Sequence, residues 1–449
     1  MSAFAPSDAV RANDSDTIFA LASGEGRAAV AVIRISGPAA SSVASAMGAK
    51  LPKPRKAALR SLFAPDRSEL LDRALILWFP APASFTGEDC LELHLHGGPA
   101  VVQAVIRVLG DLLGLRFAAP GEFTLRAFRN GKFELGEVEA LADLIDADTQ
   151  RQRAQALRQL TGGLKDQSNE WSSTLLHCRG LVEAELDFSD QDDVGVDCLR
   201  KVLIHLMPVE ASLREAILGF SASERMRTGL VIVIAGSPNV GKSSLLNHLV
   251  RRDAAIVSNI PGTTRDPIEI AMELDGCPIR LIDTAGLREA GDEIEAEGVR
   301  RSLQRAAQAD LVLWLFEADK EVGELPDFKC DVRTVATKID IFGRNERADI
   351  DVSVKTGANI EGLLGIIRAY AAQKLDGAEG GLISTERQLR EVKNCHDLAS
   401  KIVSLGSDFD LELIAEDLRA ALASLERLTG KVSSEDVLSE IFARFCIGK

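Results

Sequence analysis

The sequence predicts a multidomain chain, α/β in two places and all-α elsewhere. Three observations carry this reading. At 449 residues the chain is longer than one hydrophobic core serves. Before about residue 130 strand and helix patterns are mixed, and from there to 226 the spacing is helical. Residues 227–373 then alternate apolar strand runs with helical stretches, as a doubly wound parallel sheet does, before helical spacing returns. The expected segments are 1–130, 131–226, 227–373 and 374–449, the third inserted between two halves of a helical domain.

The elements follow in order. Val30 to Ile35 and Ala74 to Phe79 are short apolar strands. Leu91, Leu93 and Leu95 alternate with Glu92, His94 and His96, so one strand face is apolar and the other polar. Gly97-Gly98-Pro99 closes that strand, and Ala100 to Leu113 reads as a helix. Helical spacing covers Glu134 to Ala147, Thr149 to Leu160, Glu170 to Leu186 and Leu199 to Phe220, with an acidic break at Asp187 to Asp197. Strands are expected at Leu230 to Ala235, Ile279 to Ile282, Leu311 to Phe316, Val332 to Ala336 and Ile350 to Ser353. Asp275-Gly276 is a hairpin turn signal between two further apolar runs. Leu411, Ile414, Leu418, Leu422 and Leu425 line one face of a late helix that Thr429-Gly430 ends. Ser433 with Asp436 resembles a capping start for a final short helix.

Composition narrows the class. The chain is 46% hydrophobic and 27% charged, ordinary for a globular protein. No apolar run approaches the ~20 residues of a membrane helix, and the acidic N-terminus is no secretory signal. No membrane association and a cytoplasmic location are expected. The seven cysteines form no CxxC pair, which suits reduced thiols, and the terminal Lys449 does not match a prenylation box. A net charge of −15 opposes indiscriminate nucleic-acid binding by the whole surface but allows a local basic strip.

The chemistry starts at Gly236 to Ser243, which reads GSPNVGKS between a strand run and a helix start. Amides of Gly236, Asn239, Val240, Gly241, Lys242, Ser243 and Ser244 cradle phosphates in such a loop. Lys242 reaches the β- and γ-phosphates, and the Ser243 hydroxyl holds Mg²⁺. Asp283-Thr284-Ala285-Gly286 follows a strand; the carboxylate suits a Mg²⁺-bound water and the Gly286 amide a γ-phosphate. Thr263 and Thr264 lie where a switch segment belongs, and the Thr264 hydroxyl completes the Mg²⁺ shell. In Thr337-Lys338-Ile339-Asp340, the Asp340 oxygens accept from guanine N1–H and N2–H₂, which selects GTP over ATP. Ser353-Val354-Lys355 braces the base at O6 through backbone N–H.

This order resembles that of Ras-like GTPases over residues 227–373, with two departures. Threonine at 337 stands where the family usually has asparagine, so weaker bracing of the loop is expected. Leu287 stands where those enzymes place a water-orienting glutamine. The carboxylates from Glu289 to Glu297 are candidates to replace it, and Asn239 offers an amide oxygen to a monovalent cation.

Four flanking passages extend the resemblance to nearly the whole chain. They are Asp16-Thr17-Ile18 with Val32 to Gly37; Thr86-Gly87-Glu88-Asp89 with His94 to Gly98; Pro120 to Thr124 through Arg126 to Lys132; and Cys446-Ile447-Gly448-Lys449. With the inserted nucleotide domain, the chain resembles the MnmE (TrmE) family of tRNA wobble-uridine modification GTPases. The resemblance implies an N-terminal α/β domain that binds a tetrahydrofolate one-carbon carrier, in a 5-formyl or methylene form, and makes a homodimer. It implies a Ras-like GTPase domain inserted in a helical domain, with K⁺ on Asn239 and Glu295 orienting the attacking water. It further implies an FAD-dependent partner protein in a heterotetramer. Together they add an aminomethyl or carboxymethylaminomethyl group at C5 of uridine 34 in tRNA. Arg34 and Lys132 suit the folate carboxylates and Glu88 the pterin-type ring, with surface ion pairs as the alternative. Cys446 is either a participant in the modification chemistry or a packing residue. Arg126, Arg129, Lys132, Arg151, Arg153 and Arg158 are candidates for tRNA phosphates. Glu92, His94 and His96 read as a solvated or hydrogen-bonded strand face rather than a metal cluster. A ribosome-assembly GTPase switch is the other reading, and the N-terminal passages oppose it.

Overall fold

The computed structural model describes residues 16–187, 194–237, 239–252, 269–283, 309–323, 325–405, 409–432, 435–445 and 448. The chain divides into two compact units. One comprises Met1–Ala142, Leu160–Ser172 and Leu422–Lys449, and the other Asp143–Gln159 and Ser173–Ala421.

The first unit is built on a six-stranded sheet ordered β3-β4-β5-β2-β1-β6. Its strands are β1 (Thr17–Leu21), β2 (Val30–Ser36), β3 (Ala58–Phe63), β4 (Leu70–Phe79), β5 (Cys90–His96) and β6 (Leu115–Phe117). Only β1 and β6 pair in parallel among these described strands. The alternation expected of Leu91 to His96 is present: Leu91, Leu93 and Leu95 are buried, and Glu92 and His94 sit on the partly open face. Ile33, Ile35, Ile76 and Trp78 join that core, with Val105 and Leu109 from helix Pro99–Asp111. That helix has proline at its start, where the ring's fixed φ suits the first turn and no amide bond is lost. The sequence reading did not single out β1, β3, β6 or helix Ala40–Ala46. They are short, and β3 keeps only Leu62 buried, so periodicity had little to register.

Helix Glu122–Arg129 begins after Gly121, whose φ of 71 lies in the left-handed region. A Cβ there would fall 2.5 Å from the Phe442 carbonyl oxygen, so glycine lets helix Glu435–Ala443 close against this turn.

The second unit carries the other six-stranded sheet, ordered β12-β11-β10-β7-β9-β8. The strands are β7 (Leu230–Gly236), β8 (Glu269–Leu274), β9 (Cys277–Asp283), β10 (Leu311–Glu317), β11 (Asp331–Thr337) and β12 (Ile350–Asp351). All pairings are parallel except β8 with β9. Helices cover both faces of such a sheet, so β7 reads as one apolar run, LVIVIAG, without alternation. The Asp275-Gly276 turn is as expected: both residues have positive φ, and Leu274 faces Cys277.

Helix Val194–Thr228 runs without interruption into Gly229 and β7, eight residues past the end expected from spacing. Helix Glu386–Val403 packs along it. Its cap is Thr385, whose hydroxyl accepts from the Gln388 amide. Helical segments before and after the nucleotide sheet thus bury their stripes on each other. Of the break expected at Asp187 to Asp197, Asp187 ends one helix, residues 194–197 already belong to the next, and residues 188–193 lie outside the described residues. No helix among the described residues is long and apolar enough to cross a membrane.

Candidate functional site

The phosphate loop leaves the sheet at Gly236, φ 137, where β7 pairs with β10. A Cβ at 236 would lie 2.1 Å from the Leu315 carbonyl oxygen, so only glycine allows this departure. Asn239 has φ 61 and is exposed; asparagine tolerates this left-handed conformation. Gly241, φ 100, turns the chain into helix Lys242–Arg252. Lys242 folds back over the loop, its Nζ donating to the carbonyl oxygens of Gly236 and Ser237 at 2.9 Å each. Ser243 and Ser244 are exposed on the first helical turn. Asp283 closes β9 opposite Ile234, beside the strand that feeds the loop.

The base-recognition loop is tied to the phosphate loop by one hydroxyl. Thr337, 1% exposed at the end of β11, places its Oγ1 2.9 Å from the Val240 carbonyl oxygen and 3.1 Å from that of Phe316. A hydroxyl carries one proton, so it donates to one of these carbonyls at a time. Asp340 Oδ1 accepts from the Ser353 hydroxyl at 2.6 Å. Ser353 is fully buried, and its amide donates to the Ala358 carbonyl oxygen. Lys355 is exposed on the same loop.

Lys338, φ 61, ion-pairs through Nζ with Glu317, the last residue of β10. Glu317 also pairs with Lys320 at 2.5 Å. The ammonium groups of Lys320 and Lys338 hold its carboxyl down to about 2. The sequence reading missed Glu317. No local pattern marks it, because the apolar run that predicts the strand ends at Phe316. Thr263, Thr264, Gly286, Leu287 and Glu295 lie outside the described residues, as does Cys446.

A second polar site joins three of the flanking passages. Ser36 Oγ bonds Thr86 Oγ1 and Glu88 Oε2, both at 2.7 Å. Arg126 reaches Glu88 at 3.1 Å and Glu122 at 3.0 Å, and Arg116 bonds Glu122 at 2.6 and 2.8 Å. Burial by itself pushes the Glu122 carboxyl up; Arg116, the Ala119 amide and Arg126 together outweigh it and hold it below its usual range. Gly87, φ 82, packs against Asn130 and Lys132; the Asn130 amide donates to the Thr86 carbonyl oxygen at 2.7 Å. Arg34 pairs with Glu92 at 3.0 Å and stacks 4.9 Å from the Phe85 ring centre and 5.8 Å from that of Phe123. From the fourth passage, Gly448 lies against Leu21, where a Cβ would come 2.0 Å from the carbonyl oxygen.

One sequence reading changes here. Arg126 is 2% exposed and ion-paired on both sides, so it cannot meet tRNA phosphates. Glu92 pairs with Arg34 and His94, and His96 with Asp72 at 2.7 Å; no metal-holding group of three exists among the described residues.

The nucleotide loop offers amides in a left-handed turn, a lysine near them and a serine on the first helical turn. The second site offers a carboxylate with remaining lone pairs, an arginine with donors beyond its one carboxylate partner, and two aromatic rings. That donor set fits a flat heterocycle bearing a carboxylate tail.

Residues 17–132 match the family described as the GTP-binding protein TrmE N-terminus, and residues 135–446 match the MnmE helical domain. The tRNA modification GTPase MnmE of Beijerinckia indica is 46% identical over 445 residues, covering 99% of this chain and 98% of its own. That of Methylobacterium sp. (strain 4-46) is 48% identical, covering 97% of this chain and 100% of its own. The G domain of the T. maritima FeoB iron transporter is 28% identical over 32% of this chain and 98% of its own, with a TM-score of 0.24. Matched along nearly its whole length, the chain belongs to the MnmE (TrmE) family of tRNA modification GTPases.

Proposed function

We propose that the protein hydrolyses GTP to drive addition of an aminomethyl or carboxymethylaminomethyl group at C5 of the wobble uridine in tRNA. The carrying observation is the single unit made by the two loops: Thr337 joins base loop to phosphate loop, and Ser353 aims Asp340. A carboxylate so aimed accepts two guanine donors that adenine lacks. Since the Ser353 amide is engaged, contact with O6 falls to the amides that follow it, at Val354 and Lys355.

On nucleotide binding, Lys242 exchanges the Gly236 and Ser237 carbonyls for phosphate oxygens. Ser243 and Thr264 would hold Mg²⁺, which neutralises phosphate charge. Asn239 would hold K⁺, which supplies the positive charge an arginine finger supplies elsewhere. Glu295 orients the water that Leu287 cannot. In the N-terminal site Arg34 and Lys132 take the carboxylates of a tetrahydrofolate derivative and Glu88 its ring, the bound group supplying the one-carbon unit. The N-terminal segment makes the homodimer, and an FAD-dependent protein completes the assembly. Segments 1–130, 131–226, 227–373 and 374–449 are the functional divisions, and Cys446 is a candidate for the modification step, with tail packing as its alternative role.

The test is tRNA from a strain lacking the gene. The wobble modification should be absent, restored by the wild-type gene and not by Lys242→Ala. Unchanged tRNA would sink the reading.

A further inference from the structure

We infer that Glu317 is a positioning residue for the guanine base, acting by pinning Lys338 beside it. The inference deepens the guanine-site reading above and rests on it. Glu317 ends β10 directly opposite Thr337 in the β10/β11 register, so its carboxylate stands next to the base loop. Lys338 lies between Thr337, which reaches the phosphate loop, and Asp340, which Ser353 aims. Its left-handed backbone and its ion pair direct the side chain toward the end of β10. The four-carbon stem between backbone and ammonium is thereby held at both ends. A held apolar stem offers a base one fixed surface, without the loss of rotamer freedom that a loose lysine suffers on binding.

An exposed lysine–carboxylate pair contributes little by itself. This one differs in three ways. Glu317 is half-buried, at 16% exposure. Its two oxygens each take a different ammonium, Lys338 on Oε1 and Lys320 on Oε2. The segment after it is anchored as well: the Ala318 amide donates to the Thr337 carbonyl oxygen at 3.0 Å, and Asn345 donates to the Ala318 carbonyl oxygen at 2.9 Å. The carboxylate is thus a fixed post, and Lys338 is the group that conforms to it.

The test is release of fluorescently labelled GDP from the full-length chain, by stopped flow, with Mg²⁺ and K⁺ present. Glu317→Gln should speed release about three- to tenfold, the factor expected for freeing one long side chain. Glu317→Asp, which keeps the charge, should recover part of that. In a Lys338→Ala background the Glu317→Gln change should have no further effect. Thermal midpoints with and without GDP separate this from simple destabilisation, which would speed release equally in both backgrounds and so overturn the inference. Unchanged or slower release in Glu317→Gln would also overturn it, because Lys338 would then be serving the base from elsewhere. A wild-type chain that fails to retain labelled GDP would sink the guanine-site reading, and this inference with it.

Discussion

At the scale of single residues, the site is organised by groups that aim other groups. Asp340 does not stand alone; the buried Ser353 hydroxyl fixes one of its oxygens at 2.6 Å. Asp340→Asn replaces an acceptor by a donor at the position that reads guanine N2. Affinity for GDP should fall by about one to two orders of magnitude, the loss expected for charge-assisted hydrogen bonds. Xanthosine diphosphate, which has a carbonyl where guanine has its amino group, should become the better ligand in competition binding. A variant that keeps its guanine preference would place base recognition elsewhere. Asp340 was legible because four consecutive residues after a strand make the motif. Glu317 was not, because nothing local distinguishes it from any acidic residue that ends a strand. Arg126 was misread for a related reason: charge on a helix suggests solvent, and its burial comes from Glu88 and Glu122 closing on it.

At the scale of elements, helix Gln150–Leu160 teaches the same lesson. Its sequence, QRQRAQALRQL, reads as a basic surface helix. In the structure Gln155 and Gln159 are buried. Gln152 donates to the Arg227 carbonyl oxygen at 3.0 Å, Gln155 to that of Ser223 at 3.1 Å, and Gln159 to the Ser384 hydroxyl at 3.2 Å. Ser223 and Arg227 lie in the helix entering β7, and Ser384 lies just before helix Glu386–Val403. One helix face therefore holds both connections of the nucleotide sheet. Gln155→Leu preserves approximate size and leaves the buried Ser223 carbonyl without this donor. It should destabilise the second unit by about 1–3 kcal/mol, seen as a lower thermal midpoint, while GTP hydrolysis at low temperature persists. An unchanged midpoint would show that this face does not anchor the connections. Polar residues at such spacing suggest exposure from sequence; only the carbonyls opposite them make burial affordable.

For the whole molecule, the second unit holds the nucleotide sheet together with helical segments from both sides of it. The nucleotide cycle proposed for it draws charge from outside the chain, because Leu287 stands where a glutamine would orient water and Arg288 reads as a solvated switch arginine rather than a finger. Hydrolysis should accordingly be at least about tenfold faster in K⁺ than in Na⁺ buffer of equal ionic strength, a modest share of what an arginine finger contributes. Asn239→Ala should remove the difference. Equal rates in both salts would refute the cation's role and leave GTP binding intact.

The sequence alone determined the nucleotide chemistry, the hairpin at Asp275-Gly276, the apolar strands and the family. Each of these is written in consecutive residues or in a short period, and local sterics and hydrogen bonding suffice to read them. The tertiary structure alone decided which groups meet. Thr337 contacts a carbonyl 97 positions away, Glu88 an arginine 38 away, and Gln159 a serine 225 away. Those pairings depend on where the sheets and helices bring distant backbone, and no local pattern encodes a partner at that range.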